Sequence, residues 1–197
     1  MQRKYQQGGV VTILSGVLLL QGMAFAEMGF EAGWQAYRAA EFEQAYHIWE
    51  PLAEAGKSNA QNNLALLYLR GQGVDKDSLR AAYWFQRAGN KGNIQALTSL
   101  GVMYMTGDGV ERDYYQAFEL FYRAAKAGSS AAQYNLGRMY AEGIGVSLNY
   151  YKAMKWFRMA SEQGHSRAQS AKARLLKQGL GLQKLPYPKD SRWSKFG

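Results

Sequence analysis

The sequence predicts an all-α chain, built as a solenoid of helix pairs and finished by a C-terminal capping helix. Three observations predict it. A 36-residue period runs through the middle of the chain. Each period holds two stretches of helical apolar spacing separated by a Gly-x-Gly loop. The composition is 47% hydrophobic and 14% aromatic with no cysteine, so a packed core, without disulfides, must supply the stability.

The first 26 residues read as a removable leader. Arg3 and Lys4 precede the uncharged apolar run Val10–Leu20, and "AFA" ends at Ala26. Small residues at Ala24 and Ala26 match what a signal peptidase reads, so cleavage is expected before Glu27 and the mature protein is expected to be exported and periplasmic. The run is too short to span a bilayer comfortably as a permanent helix. No cysteine is present to carry a lipid anchor, a thiolate metal site or thiol chemistry.

The period is seen best in three ungapped blocks that start at Ala60, Ala96 and Ala132. Leu64, Leu100 and Leu136 coincide, as do Tyr68, Tyr104 and Tyr140. Ala60, Leu64 and Tyr68 lie at i, i+4 and i+8, one face of a first helix. Ala65, Gly101 and Gly137 stand where a neighbouring helix must come close. Ala81, Phe85 and Ala88, with their counterparts, make the buried stripe of a second helix. Asp77, Asp113 and Asn149 precede that helix as N-caps, because their side-chain oxygens accept an otherwise unpaired N–H of the first turn.

The glycines of "RGQGVDKD" and "TGDGVERD" raise the question of a phosphate cradle. A dinucleotide fingerprint needs a preceding strand, a third glycine and a helix that opens on the phosphate. None is present. The first glycine is expected to end the helix in a left-handed conformation, the second to turn the loop back, and Val74, Val110 and Val146 to anchor it on the core.

The pattern A-x-x-x-L-G-x-x-Y-x-x-G-x-G-V, followed by A-x-x-(W/F)-F-x-x-A and a closing Gly, resembles the SEL-one-like repeat, a relative of the tetratricopeptide repeat. Ala65 and Gly89 are its small departures here. The resemblance implies a right-handed α/α superhelix with repeats over 58–92, 93–128 and 129–164. Residues 27–57 read as a degenerate tetratricopeptide-like unit with a shorter turn. Residues 165–182 read as a capping half-repeat, in which Lys172 replaces the leucine of Leu64 so that the outer side can face water. Residues 183–197, with two prolines and no helical period, read as an extended basic tail.

The net charge of +9 is uneven. Residues 151–197 carry eleven Lys/Arg against two acids. Lys172, Arg174, Lys177, Lys184, Lys189 and Arg192 are the candidate basic end, which would meet an acidic protein, an anionic polymer or a lipid surface. An exported protein has little use for nucleic acid.

Catalytic patterns are missing. His47 and His165 have no partner at metal-ligand spacing, and neither Ser-x-x-Lys nor Gly-x-Ser-x-Gly occurs. Pairs such as Glu41/Glu43 and Asp75/Asp77 are explained by turns and helix starts. No enzyme activity, cofactor, metal or small-molecule substrate is expected. If tetratricopeptide geometry transfers, first-helix residues line an inner, concave groove for a protein or peptide segment. These are Trp34, Tyr37 and Arg38, then Asn62, Asn63, Leu66 and Arg70. Thr98, Ser99 and Val102 follow, then Tyr134, Asn135, Arg138 and Glu142. The leading expectation is a non-enzymatic scaffold of the bacterial cell envelope. The alternative is attachment to anionic lipid or polymer through the basic end, and an envelope hydrolase comes third.

Overall fold

The computed structural model describes residues 29–182, and the regular structure among them is helical. The first helix, α1, covers residues 29–38. It is followed by α2 (Phe42–Glu54), α3 (Ser58–Arg70), α4 (Ser78–Asn90) and α5 (Ile94–Thr106). Then come α6 (Tyr114–Lys126), α7 (Ser130–Glu142), α8 (Tyr150–Glu162) and α9 (Ser166–Lys177). From α2 onward each helix packs chiefly on its neighbours in sequence, which is the arrangement of a solenoid. The leader and the tail, with Lys184, Lys189 and Arg192, lie outside the described residues.

Local chemistry sets the helix ends. Asp77, Asp113 and Asn149 each accept backbone N–H groups at the start of α4, α6 and α8. The first helices have caps of their own: Asn93, Ser129 and the imidazole Nδ1 of His165 accept from Ala96, Ala132 and Ala168. Gly71, Gly107 and Gly143 end α3, α5 and α7 in the left-handed conformation.

Within each unit the phenylalanine of the second helix lies on the small residue of the first. A methyl group on Gly101 would sit 2.7 Å from Phe121, and one on Gly137 would sit 2.5 Å from Phe157. The close approach buries Phe85, Phe121 and Phe157 almost completely. Between units, the amides of Gln61 and Gln133 donate to the carbonyls of Ala53 and Ala125. The middle junction replaces this bond with apolar contact. Leu97 takes the glutamine position, and Gly89 makes room for it, since a Cβ there would lie 2.8 Å from the leucine.

The second glycine of each loop does more than turn the chain. Gly73, Gly109 and Gly181 press against backbone atoms at the start of the preceding unit's second helix, and Gly145 presses against the Cβ of Tyr114 there. An added Cβ would come within 2.3–2.6 Å in all four cases. These glycines are the joints between units.

The first unit is built differently. Its turn is short, and Ala40 takes a positive φ of 61° without being glycine. Its core is aromatic: Trp49 is buried against Phe30, Trp34 and Tyr37, and its indole N–H donates to the Phe30 carbonyl.

Burial pushes the Tyr140 phenol up to about 12, with the nearby Tyr122 adding to the effect. The unfolded phenol titrates near 10, so the fold favours the neutral form. This contribution is intact below pH 10 and is lost as pH rises through about 12. Denaturant titrations are therefore expected to show a loss of about 2 kcal/mol between pH 9 and pH 11.5. Tyr140→Phe should make that loss smaller.

Candidate interaction surface

The first helices α3, α5, α7 and α9 present repeat positions side by side, and most of the predicted groove residues lie along them. Asn62, Thr98 and Tyr134 are equivalent, as are Asn63, Ser99 and Asn135, then Leu66, Val102 and Arg138, and finally Arg70 and Glu142. Thr98, Ser99, Tyr134 and Asn135 are half-buried, and Val102 is exposed. Arg138 forms a two-pronged pair with Glu142 at 3.3 and 3.2 Å. That bond raises the guanidinium pKa further, so its charge is fixed.

Two expected residues are not displayed. Asn62 and Asn63 are only 8% and 4% exposed. The Asn62 amide donates to the Asn63 oxygen. Asn62 Oδ1 and Asn63 Nδ2 are left buried without a hydrogen-bond partner among the described residues. Such atoms cost about 1–3 kcal/mol each, so this pair keeps one acceptor and one donor unused.

At the N-terminal side, Trp34 and Tyr37 are half-committed to packing on Trp49. The Tyr37 hydroxyl accepts from Arg70 at 2.7 Å and donates to Gln72 at 3.2 Å, which ties α1 to the second unit. Arg38 is exposed and pairs with Glu31. These three residues serve the joint as well as the surface.

At the C-terminal side the structure brings together residues that the sequence placed in separate sites. Tyr134 of α7 and Ser166, Arg167, Ser170, Ala171 and Arg174 of α9 line one cavity of ≈ 380 Å³. Tyr134 is held by stacking on His165, with ring centroids 4.8 Å apart. Arg174 therefore belongs to the first-helix surface, while Lys172 lines a different groove against α8. The cause is helical: residues two apart project about 200° from each other. Lys177 is exposed in the last turn of α9. The expected water-facing side of this capping helix is only partly polar, because Leu176 and Leu182 are exposed beside Lys172. Ser166 and Ser170 were not singled out by sequence reasoning. Their signal was the i, i+4 spacing from Ser166 to Ser170 to Arg174 on one face of α9.

No described helix is long and apolar enough to cross a membrane. The chemistry this surface offers is hydrogen bonding, cationic charge and ring contact, all suited to holding a polypeptide.

Comparison with known proteins agrees with the geometry. The Sel1 repeat model matches residues 58–93, 94–129 and 130–165. The protective antigen c5321 of uropathogenic Escherichia coli strains, described as displaying an SLR fold, is 33% identical with a TM-score of 0.76. That match covers 83% of this chain and 36% of the antigen. A Sel1 repeat protein from Oxalobacter formigenes is 31% identical with a TM-score of 0.74, over 79% of this chain and 62% of that one. A putative Sel1 repeat protein from Klebsiella pneumoniae, 22% identical over 76% of this chain and 77% of its own, shares the fold at a TM-score of 0.51. The chain thus spans less than two thirds of the length of the first two. No curated protein matches it. Sel1 repeat proteins are in general non-enzymatic protein-interaction scaffolds. With three matched repeats covering more than half of its length and the helix pairs that they specify, the chain belongs to the Sel1 repeat family.

Proposed function

We propose that this protein is an exported scaffold of the bacterial cell envelope, and that it holds a segment of a partner protein along its first-helix face. The observation that carries this reading is the cavity where Tyr134 meets Arg167 and Arg174. An aromatic wall, two cations and two hydroxyl groups converge there from two successive units. They suit a segment with an acidic or C-terminal carboxylate group and an apolar anchor. The leader supports export, and the mature chain is expected to begin at Glu27 and to be recovered from the periplasm.

The same helix supplies its own control. Arg174→Glu and Tyr134→Ala should each reduce co-purification of the envelope partner about tenfold, which is the loss of one good anchor. Lys172→Glu changes charge equally on the other side of α9 and should leave recovery intact. Equal losses for Arg174→Glu and Lys172→Glu, both relieved by salt, would instead favour attachment to an anionic polymer or lipid through the basic end.

A further inference from the structure

The junctions between units form a second series of grooves, each between the second helix of one unit and the first helix and loop of the next. The groove between α4 and α5 is lined by Leu79, Ala82, Tyr83, Leu100, Tyr104 and Val110, with Arg80 beside them. The groove between α8 and α9 uses the same repeat positions two repeats on, among them Met154, Leu176 and Leu182. The four junctions between units share this arrangement, and the second-helix residue at the position of Ala82 varies among them.

In two of them the second helix supplies its own plug. Tyr46 of α2 stands edge-on over Tyr68, with ring centroids 6.0 Å apart and an interplanar angle of 89°. Phe118 of α6 stands in the same way over Tyr140, at 5.7 Å and 87°, and is fully buried. The equivalent residue of α4 is Ala82. The receiving tyrosine is retained as Tyr104, but a groove of ≈ 460 Å³ is open where the ring would stand. Beside it Leu79 is 70% exposed and Tyr83 is 54% exposed, the first and one of the next largest apolar exposures among the described residues.

The molecule itself shows what such a groove accepts: an aromatic ring placed edge-on to the tyrosine, the arrangement that the ring quadrupole favours. Its edge carries positive charge. Arg80 lines its edge, with the guanidinium leaning back onto Tyr68 of α3 at 5.5 Å from that ring's centroid, and the Arg87 guanidinium lies 5.7 Å from the groove's Tyr83 and 5.1 Å from Trp84. Asp77 offsets part of this by pairing with Arg80. We infer that the α4–α5 groove is a second docking site, which receives an aromatic side chain flanked by a carboxylate from a partner protein. The chain's own Trp193 or Phe196 is the poorer occupant, because Lys189, Arg192 and Lys195 around them would meet like charge at Arg80 and Arg87. This inference stands apart from the first-helix reading, since no residue is shared between the two sites.

The test is selection of displayed 12-residue random peptides on the full-length protein, followed by affinity measurement of the enriched peptides. Enriched sequences should pair an aromatic residue with Asp or Glu. Ala82→Phe restores the plug of α6, so it should leave the melting temperature unchanged or raised while weakening these peptides at least about tenfold. Leu79→Glu, at an exposed position, should weaken them without threatening the fold. Tyr134→Ala should have no effect. Peptides that lack an aromatic residue, or that bind Ala82→Phe and Leu79→Glu as well as the parent, would overturn the inference. So would Trp193→Ala in the full chain that raises peptide affinity tenfold, since the chain's own tail would then be the occupant.

Discussion

Gly109→Ala is expected to destabilise the protein by about 3–5 kcal/mol, far more than alanine at most other surface glycines. Two costs add. The backbone at Gly109 has φ +72°, where an L side chain is strained by roughly 1–2 kcal/mol. The new Cβ would also lie 2.3 Å from the Ser78 carbonyl oxygen and 2.4 Å from its carbon, backbone atoms of the first residue of the preceding unit's second helix that cannot swing away. Gly107, two residues earlier, separates these terms. It has a similar φ of +80°, but its nearest neighbour would be the Arg112 Cβ at 3.3 Å, so Gly107→Ala should cost only about 1–2 kcal/mol. Urea unfolding of the two variants measures the difference. Because each unit is stabilised through its neighbours, Gly109→Ala should also lower the m-value as the chain ceases to unfold as one cooperative block. Equal costs at the two glycines would remove the inter-unit joint from the account.

Trp49→Ala is expected to cost about 3–5 kcal/mol and to act locally. The indole is 1% exposed, lies against Phe30, Trp34 and Tyr37, and donates to the Phe30 carbonyl. It also fills the space that Gly33 leaves open, where a Cβ would fall 2.2 Å from the indole nitrogen. Removing it takes away the core that α1 shares with α2. Hydrogen exchange should then show protection lost over residues 29–54 and retained in the three repeats, whose Phe85, Phe121 and Phe157 do not depend on it. Loss of protection throughout would mean that the first unit is a required cap.

The repeats were legible because a fixed period exposes each position three times. Leu64, Leu100 and Leu136, the phenylalanines and the N-caps could be read as core and caps from recurrence alone. The second glycine was legible as a turn but not as a joint, because a period shows that a residue recurs and not which atoms approach it. In the first unit the second helix keeps the period, so Trp49 stands where Phe85 stands, but the shorter turn shifts α1 out of the 36-residue spacing, and its Phe30, Trp34 and Tyr37 could not be read from recurrence as the partners of that ring. In α9, sequence proximity grouped Lys172 with Arg174, whereas the helix sends them to different grooves. The alternation of Tyr46, Ala82, Phe118 and Met154 was present in the sequence. It gained meaning only once Tyr68, Tyr104 and Tyr140 were seen to receive, or lack, the ring of the preceding helix.

The account's central claim, that the first-helix face holds a protein segment, is tested most directly by site-specific photo-cross-linking in intact cells. A photoreactive residue would replace Tyr134 or Ser99 on that face, with exposed Lys126 of α6 as the control. The account predicts one discrete protein adduct from positions 134 and 99, none from 126, and loss of both adducts when Arg174→Glu is added. Adducts of the same size from all three positions, or none from 134 and 99, would contradict it.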